Sequence, residues 1–191
     1  MSIPVKIYEN VISKEDCAKA VKFIQDSKVK GVLKKGAPSR WHTTNNKNQI
    51  TIDILNTYGK KALEQYLGHL PTPLYVTNLL MLMYQPGGCM EKHQDIEGPY
   101  QKVPYKNGEF LALTVVAYFN ENFEGGELEF PEFNIKVRPK EGTVVVFPGT
   151  VFHEVHKVTR GDRFTLNAGF TTNPSVHFSD FPIQNTLKKV D

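Results

Sequence analysis

The sequence predicts a mainly β chain of jelly-roll type with helices packed on one outer face. Three observations carry this: two helical patterns come first, eight short strand-like runs follow from Leu74 onward, and no helical pattern interrupts those runs. The last of these argues against a βαβ arrangement, which would interleave helices with strands.

The first helix opens at Ser13-Lys14-Glu15-Asp16, an S-x-x-D start resembling a capping box, followed by Cys17, Ala20, Val21 and Ile24 at helical spacing. It runs to about Ser27. A polar stretch with Gly31, Gly36, Pro38 and Asn45-Asn46 separates it from a second helix, which carries Ile50, Ile54, Tyr58, Ala62, Tyr66 and Leu70 along one side. Pro71 and Pro73 stop it. Strands are expected near Tyr75–Tyr84, Glu91–Asp95, Phe110–Asn120, Glu127–Phe130, Ile135–Arg138, Thr143–Phe147, Glu154–Val158 and Arg163–Thr171, divided by Gly and Pro turn signals such as Pro86-Gly87-Gly88 and Gly125-Gly126.

At 191 residues the expectation is one domain over 1–191, with helical support over 1–73, a β core over about 74–172 and a C-terminal extension over 173–191. Hydrophobic residues make up 40%, with twelve Phe and eight Tyr, which excludes the composition of a disordered chain. The formal charge of +3 comes from scattered basic residues, so no nucleic-acid stripe is expected. The longest apolar run, Leu79 to Met83, has five residues, against the roughly 20 of a membrane helix. No charged lead-in and apolar signal segment open the chain. Cys17 and Cys89 form neither a CxxC pair nor a disulfide framework, so a reducing, cytoplasmic setting without a membrane partner is expected. Oligomeric state has no signal in the sequence.

Alternation assigns faces. Along Phe110–Asn120 one parity holds Leu111, Leu113, Val115, Ala117 and Phe119, and the other holds Ala112, Thr114, Val116, Tyr118 and Asn120, a set suited to line a cavity. Along Arg163–Phe170 the split places Phe164, Leu166, Ala168 and Phe170 opposite Arg163, Thr165, Asn167 and Gly169. An unpartnered buried arginine is strongly unfavourable, so Arg163 predicts an anion.

His93-Gln94-Asp95 sets an imidazole and a carboxylate two residues apart, on one face of a strand, where both can grip one metal ion. Roughly 0.2 such pairs are expected by chance in this composition, so the motif needs its context. That context is His153, after Phe147-Pro148-Gly149, and Arg163 at the start of a strong strand. Two histidines and a carboxylate form the facial triad of non-haem Fe(II) sites, which leaves positions open for other ligands. A closed zinc site would use four ligands rich in Cys and His, and a catalytic one is commonly a His-rich set that would not call for a buried cation nearby.

From about Tyr75 to Thr172 a set of pieces occurs in one order: Tyr84-Gln85-Pro86-Gly87, His93-x-Asp95, Val115-Val116-Ala117-Tyr118-Phe119-Asn120, Glu124-Gly125-Gly126-Glu127-Leu128, Gly142 to Phe147-Pro148, His153 and Gly161-x-Arg163. This ordered set resembles the prolyl 4-hydroxylase-like group of 2-oxoglutarate and Fe(II)-dependent dioxygenases. The resemblance implies a cupin-like double-stranded β-helix that holds Fe(II) through His93, Asp95 and His153, with Arg163 bound to the distal carboxylate of 2-oxoglutarate. It also implies Tyr84 and Tyr118 beside the co-substrate, with Thr114 on the face of Tyr118, and Asn167 reaching the metal or a bound water. The implied chemistry consumes O2 with ascorbate as reductant, releases succinate and CO2, and hydroxylates a prolyl or other residue of a peptide or protein. The same chemistry on a free amino acid or small metabolite is the first alternative, and a non-catalytic metal-binding jelly-roll module the second.

Substrate control is expected from the loops Ile96–Glu109 and Val32–Lys47, with Tyr100 and Tyr105 closing over a peptide and Arg40 or Trp41 bordering the entrance. His156, three residues after His153, belongs to the opposite strand face. Arg160 precedes a tight turn and is expected to be exposed, as are His42, His69 and His177 unless structural. Glu127 and Glu129 are expected to face Lys136 and Arg138 on an outer hairpin.

Overall fold

Chain order in the computed structural model, which describes residues 4–26, 40–43, 49–69, 71, 74–95 and 111–172, begins with β1 (Lys6–Tyr8), α1 (Lys14–Asp26), β2 (Arg40–Thr43), α2 (Gln49–Ile54), a π-helical turn (Leu55–Gly59) and α3 (Lys60–Leu67). The strands β3 (Tyr75–Tyr84), β4 (Met90–His93), β5 (Ala112–Tyr118), β6 (Glu124–Gly125), β7 (Leu128–Phe130) and β8 (Ile135–Val137) follow. Then come β9 (Val144–Pro148), β10 (His153–Val155), β11 (Val158–Arg160) and β12 (Arg163–Thr171). No helix among the described residues is long and apolar enough to cross a membrane.

Two antiparallel sheets form the body. The larger has the order β1-β9-β5-β12-β3-β2 and the smaller β4-β10-β7-β8, with β11 and β6 as a separate pair. Non-consecutive neighbours within each sheet are the signature of a jelly roll, and the architecture is the double-stranded β-helix that the sequence predicted.

Side-chain parity decides what each face does. On one side of the large sheet, Leu113, Val115 and Ala117 of β5 and Leu166, Ala168 and Phe170 of β12 pack with Cys17, Ala20, Leu55 and Leu63 of the helical layer. On the other side, Leu82, Val116, Tyr118, Val145 and Phe147 meet Leu128, Phe130 and Val155 of the small sheet. The α1 start is capped as expected: the Asp16 amide donates to Ser13 Oγ at 3.1 Å, and Ser13 Oγ donates to Asp16 Oδ2 at 3.0 Å. The second predicted helix is present over 49–67, but it is interrupted at Leu55–Gly59, where a Cβ on Gly59 would stand 2.9 Å from Leu55 Cδ1. The absent side chain leaves room for Leu55 of the same turn.

Three predicted strands change shape. Glu91–Asp95 is shifted to Met90–His93, so Asp95 lies in the turn beyond the strand, held by its amide donating to the Gly149 carbonyl at 3.0 Å. Glu154–Val158 is two strands, because the chain leaves β7 and β4 after Val155 and pairs with β6 from Val158. Phe110–Asn120 ends at Tyr118. The short edge strands β1 and β2 were not anticipated, since three or four residues show no periodicity and only their partners β9 and β3 make them strands. The loop 96–109, most of 32–47, and the extension 173–191 lie outside the described residues.

The Gly125-Gly126 turn is required by space as well as by conformation. Both residues have positive φ, 71° and 67°; a Cβ on Gly125 would fall 2.1 Å from the Lys157 carbonyl oxygen, and one on Gly126 would fall 2.9 Å from Arg163 Cδ. Gly125→Ala is therefore expected to cost at least about 2 kcal/mol in denaturant unfolding, through left-handed strain plus backbone displacement. A loss under about 0.5 kcal/mol would contradict this packing.

Candidate active site

The two histidines are brought together by strand register. In the β4–β10 pair His153 sits opposite His93, and their ring centroids are 4.3 Å apart. Asp95 reaches the same point from the turn after β4, with Oδ1 3.4 Å from His93 Nε2 and 3.6 Å from His153 Nε2. Each imidazole is oriented by its own strand: His93 Nδ1 lies 2.7 Å from the Glu91 carbonyl and His153 Nδ1 lies 3.0 Å from the Val151 carbonyl. A carbonyl only accepts, so Nδ1 carries the hydrogen, and Nε2 is the nitrogen that each ring turns toward Asp95. The second carboxylate oxygen is also held, because Thr114 Oγ1 donates to Asp95 Oδ2 at 2.6 Å.

Three donor atoms within 4.8 Å of one another can hold one ion. Ligands about 2.1 Å from a metal and at right angles stand about 3.0 Å apart, so the observed separations need only a small contraction. Electrostatics agrees. Burial pushes the Asp95 carboxyl up, but the hydrogen bond with His93, the charge of His153 and the Thr114 hydroxyl outweigh it and keep the group below its ordinary range. Burial holds the His153 imidazole below its usual value, against the pull of Asp95, which favours the neutral ligand form.

Arg163 is 1% exposed. Its guanidinium carbon lies 4.9 Å from the Tyr84 ring centroid and 5.0 Å from that of Tyr118, and Nη2 donates to Tyr118 Oη at 3.3 Å. Nε has no hydrogen-bond partner, and none of the ion pairs among the described residues includes Arg163. Two aromatic faces offset part of the desolvation of a cation, about 2 kcal/mol or more when buried. An orphaned N–H on a buried guanidinium still calls for an anion. Burial raises the Tyr118 phenol, partly countered by Arg163, so it remains a neutral hydrogen-bond donor.

A cavity of about 160 Å³ joins these groups. His93, Asp95, His153, Arg163 and Asn167 line it, with Leu80, Leu82, Val116, Leu128 and Val155 as apolar wall. Tyr84 also lines it, while Tyr118 reaches it through Arg163. Thr114, which the resemblance associates with the co-substrate, is engaged instead with Asp95. Gln94, passed over in the sequence, lines the cavity and is anchored by a hydrogen bond to the Thr150 carbonyl; no periodicity marks such a residue between two others of interest.

The competitors are accounted for. His156 Nε2 lies 2.6 Å from Glu129 Oε2, the oxygen that Lys136 Nζ also meets at 2.9 Å. That lysine supplies the cation which a second ion would bring to the Glu129, Glu154 and His156 cluster. Arg160 is exposed and pairs with Glu124 at 2.5 Å. His69 is exposed, and His177 lies outside the described residues. Strand β2 sets Arg40 opposite Tyr84 and Trp41 opposite Met83 in backbone register.

Fold and donor set together define a jelly-roll protein with a two-histidine, one-carboxylate site beside a buried guanidinium. Residues 79–170, 92 of the 191, match the family model of the 2OG-Fe(II) oxygenase superfamily. Its chemistry uses Fe(II), 2-oxoglutarate and O2. A "PKHD-type hydroxylase" of Pseudomonas fluorescens is 35% identical over 88 residues, which are 44% of this chain and 39% of the relative. The matched segment thus spans about two-fifths of that relative's length. Among solved structures, the viral collagen prolyl hydroxylase of Paramecium Bursaria Chlorella virus-1, in its 2OG complex, superposes with a TM-score of 0.69 at 17% identity, covering 90% of this chain and 97% of that one. The non-heme alpha-ketoglutarate-dependent epimerase SnoN from nogalamycin biosynthesis gives 0.66 at 13% identity, covering 98% and 86%. These two likenesses establish the fold.

Proposed function

We propose that this chain is a 2-oxoglutarate- and Fe(II)-dependent dioxygenase that hydroxylates a prolyl or other residue of a peptide or protein. One observation carries the reading: a single cavity holds both a three-donor set sized for one divalent ion and a buried guanidinium with an orphaned N–H.

His93 Nε2, His153 Nε2 and Asp95 Oδ1 would hold Fe(II), and the donor chemistry fits, because two neutral imidazoles and one carboxylate suit an open octahedral ion. When bound with 2-oxoglutarate, the iron supplies O2 activation for C–H hydroxylation with loss of succinate and CO2. The chain's own residues do the positioning. Arg163 presents its fork to the distal carboxylate of the co-substrate, and Tyr118, which already accepts a hydrogen bond from Nη2, has its own O–H left to donate. Tyr84 flanks the guanidinium and keeps water from it. Leu80, Leu82, Val116, Leu128 and Val155 dry the cavity, which strengthens every charge interaction within it. Asn167, opposite Leu80 and Val116 in register, offers an amide to the co-substrate or a water.

Thr114 is a positioning residue in this scheme. By donating to Oδ2 it leaves Oδ1 to face the histidines and disfavours bidentate binding. Thr114→Val keeps the shape and removes that hydrogen bond, and is expected to weaken Mn(II) binding about 10-fold or more in calorimetry. Affinity unchanged within twofold would remove Thr114 from the metal shell.

The PKHD-type relative supports hydroxylation as the outcome, and the viral collagen hydroxylase supports a peptide substrate. A small-metabolite substrate is the second reading, favoured by the similar fit of the fold to the epimerase, with a TM-score of 0.66 against 0.69. The test is succinate release from purified protein given Fe(II), ascorbate and 2-oxoglutarate, set against His93→Ala, with peptides and metabolites screened for a gain of one oxygen. Equal succinate from wild type and His93→Ala would end the dioxygenase reading.

A further inference from the structure

We propose that Asn120 is a positioning residue that sets where the Arg163 guanidinium stands, and so governs co-substrate affinity without touching the co-substrate or the metal. This rests on the reading of Arg163 as the carboxylate anchor.

The argument starts from where the sheet runs out. Strand β12 begins at Arg163, which pairs with Tyr84 of β3 on one side. On its other side the β5 register ends at Thr165 opposite Tyr118. One backbone hydrogen bond goes further, from the Phe119 amide to the Phe164 carbonyl at 3.1 Å. Beyond it, β5 has no strand to offer the residues around Arg163.

The Asn120 side chain takes that place. Its Oδ1 accepts from the Phe164 amide at 3.0 Å, and its Nδ2 donates to the Asp162 carbonyl at 2.7 Å. A planar amide with one acceptor and one donor aimed at the peptide groups on either side of Arg163 imitates the missing peptide unit of β5. The amide's orientation is unambiguous, since an N–H must meet Oδ1 and a carbonyl must meet Nδ2. The second Nδ2 hydrogen goes to Asn122 Oδ1 at 2.6 Å, which ties the amide to the next turn. Asn120 is 7% exposed, so these bonds form where water competes poorly.

Besides the β3 ladder and the Phe119 bond, little else fixes the root of the arginine. Its stem runs past Gly126, where a Cβ would stand 2.9 Å from Cδ, and its head is held by two ring faces and one hydrogen bond at 3.3 Å. Ring faces permit sliding in their plane. Placement along that plane therefore depends on the backbone at 162–164, and a bidentate carboxylate contact tolerates little displacement.

Asn120→Asp keeps the shape but turns both donated bonds into oxygen–oxygen repulsions, and Asn120→Ser removes the reach more gently. With Mn(II)-saturated protein and 2-oxoglutarate as titrant, calorimetry is expected to give a Kd raised about tenfold or more in whichever variant keeps a cooperative melt. The Mn(II) affinity should stay within about twofold of wild type, because β4 and β10 hold the two histidines, and the Gly149 carbonyl and Thr114 hold Asp95, none of them through Asn120. That split is what a merely structural residue would not produce. Unchanged 2-oxoglutarate affinity, equal weakening of both ligands, or failure of both variants to fold would each overturn the proposal. Arg163→Lys is run alongside: if it binds 2-oxoglutarate as wild type does, the anchor reading itself has failed, whatever Asn120 does.

Discussion

Asp95→Asn is expected to abolish metal binding and reduce succinate release to background. The variant keeps the side-chain shape and removes the single anionic donor among three. Loss of a partner behind a metal ligand costs about 10- to 100-fold in affinity, and loss of the charged ligand itself must exceed that. Mn(II) titration with succinate quantified by mass spectrometry reads both effects, and Mn(II) affinity within twofold of wild type would remove Asp95 from the centre.

The same substitution should alter acid stability of the metal-free protein. Asp95 titrates below its ordinary 3.8 in the folded state. Its contribution is therefore present above that value and is lost as pH falls through the folded pKa. His153 is held below its ordinary 6.5. The unfolded chain then binds more protons as pH drops from about 6.5, so stability falls with it. Urea midpoints should decline in both windows for wild type, whereas Asp95→Asn should lose the lower one. An identical acid limb in both proteins would contradict the assignment.

Arg163→Met is expected to move two quantities in opposite directions. Removing one member of a buried charged contact costs about 2–5 kcal/mol, so the Michaelis constant for 2-oxoglutarate should rise roughly 30- to 4,000-fold. The ligand-free protein, by contrast, should melt at the same temperature or higher. Its guanidinium has an orphaned Nε and no acidic partner, and an apolar side chain between Tyr84 and Tyr118 desolvates at no such cost. Scanning calorimetry with and without 2-oxoglutarate tests both halves: wild type should gain melting temperature from the ligand and the variant should not. A strongly destabilised ligand-free variant would mean the cation holds the fold.

Parity made much of this legible beforehand. Alternation along residues 111–120 and 163–170 separated the helix-covered face, where Leu113, Val115, Ala117, Phe164, Leu166, Ala168 and Phe170 lie, from the cavity face, where Val116, Tyr118, Arg163 and Asn167 lie. Asp95 is instructive in another way. It was expected on a strand and stands in a turn, yet it meets both histidines because the Gly149 carbonyl holds its amide. Thr114 shows the reverse case, in that its face was legible and its partner was not.

What the chain determines by itself is therefore periodic or compositional: the helical lead, the strand runs, the cavity-facing parity, and a triad with a cation too costly to bury alone. Only the tertiary structure decided which groups meet. The register of β4 against β10 faced His93 with His153, the end of β5 handed the Arg163 backbone to the Asn120 amide, and the crowding at Lys157 and Arg163 made Gly125 and Gly126 necessary. The physical reason is that alternation is a property of one strand, whereas register, edge strands and side-chain hydrogen bonds belong to pairs of segments far apart in the chain.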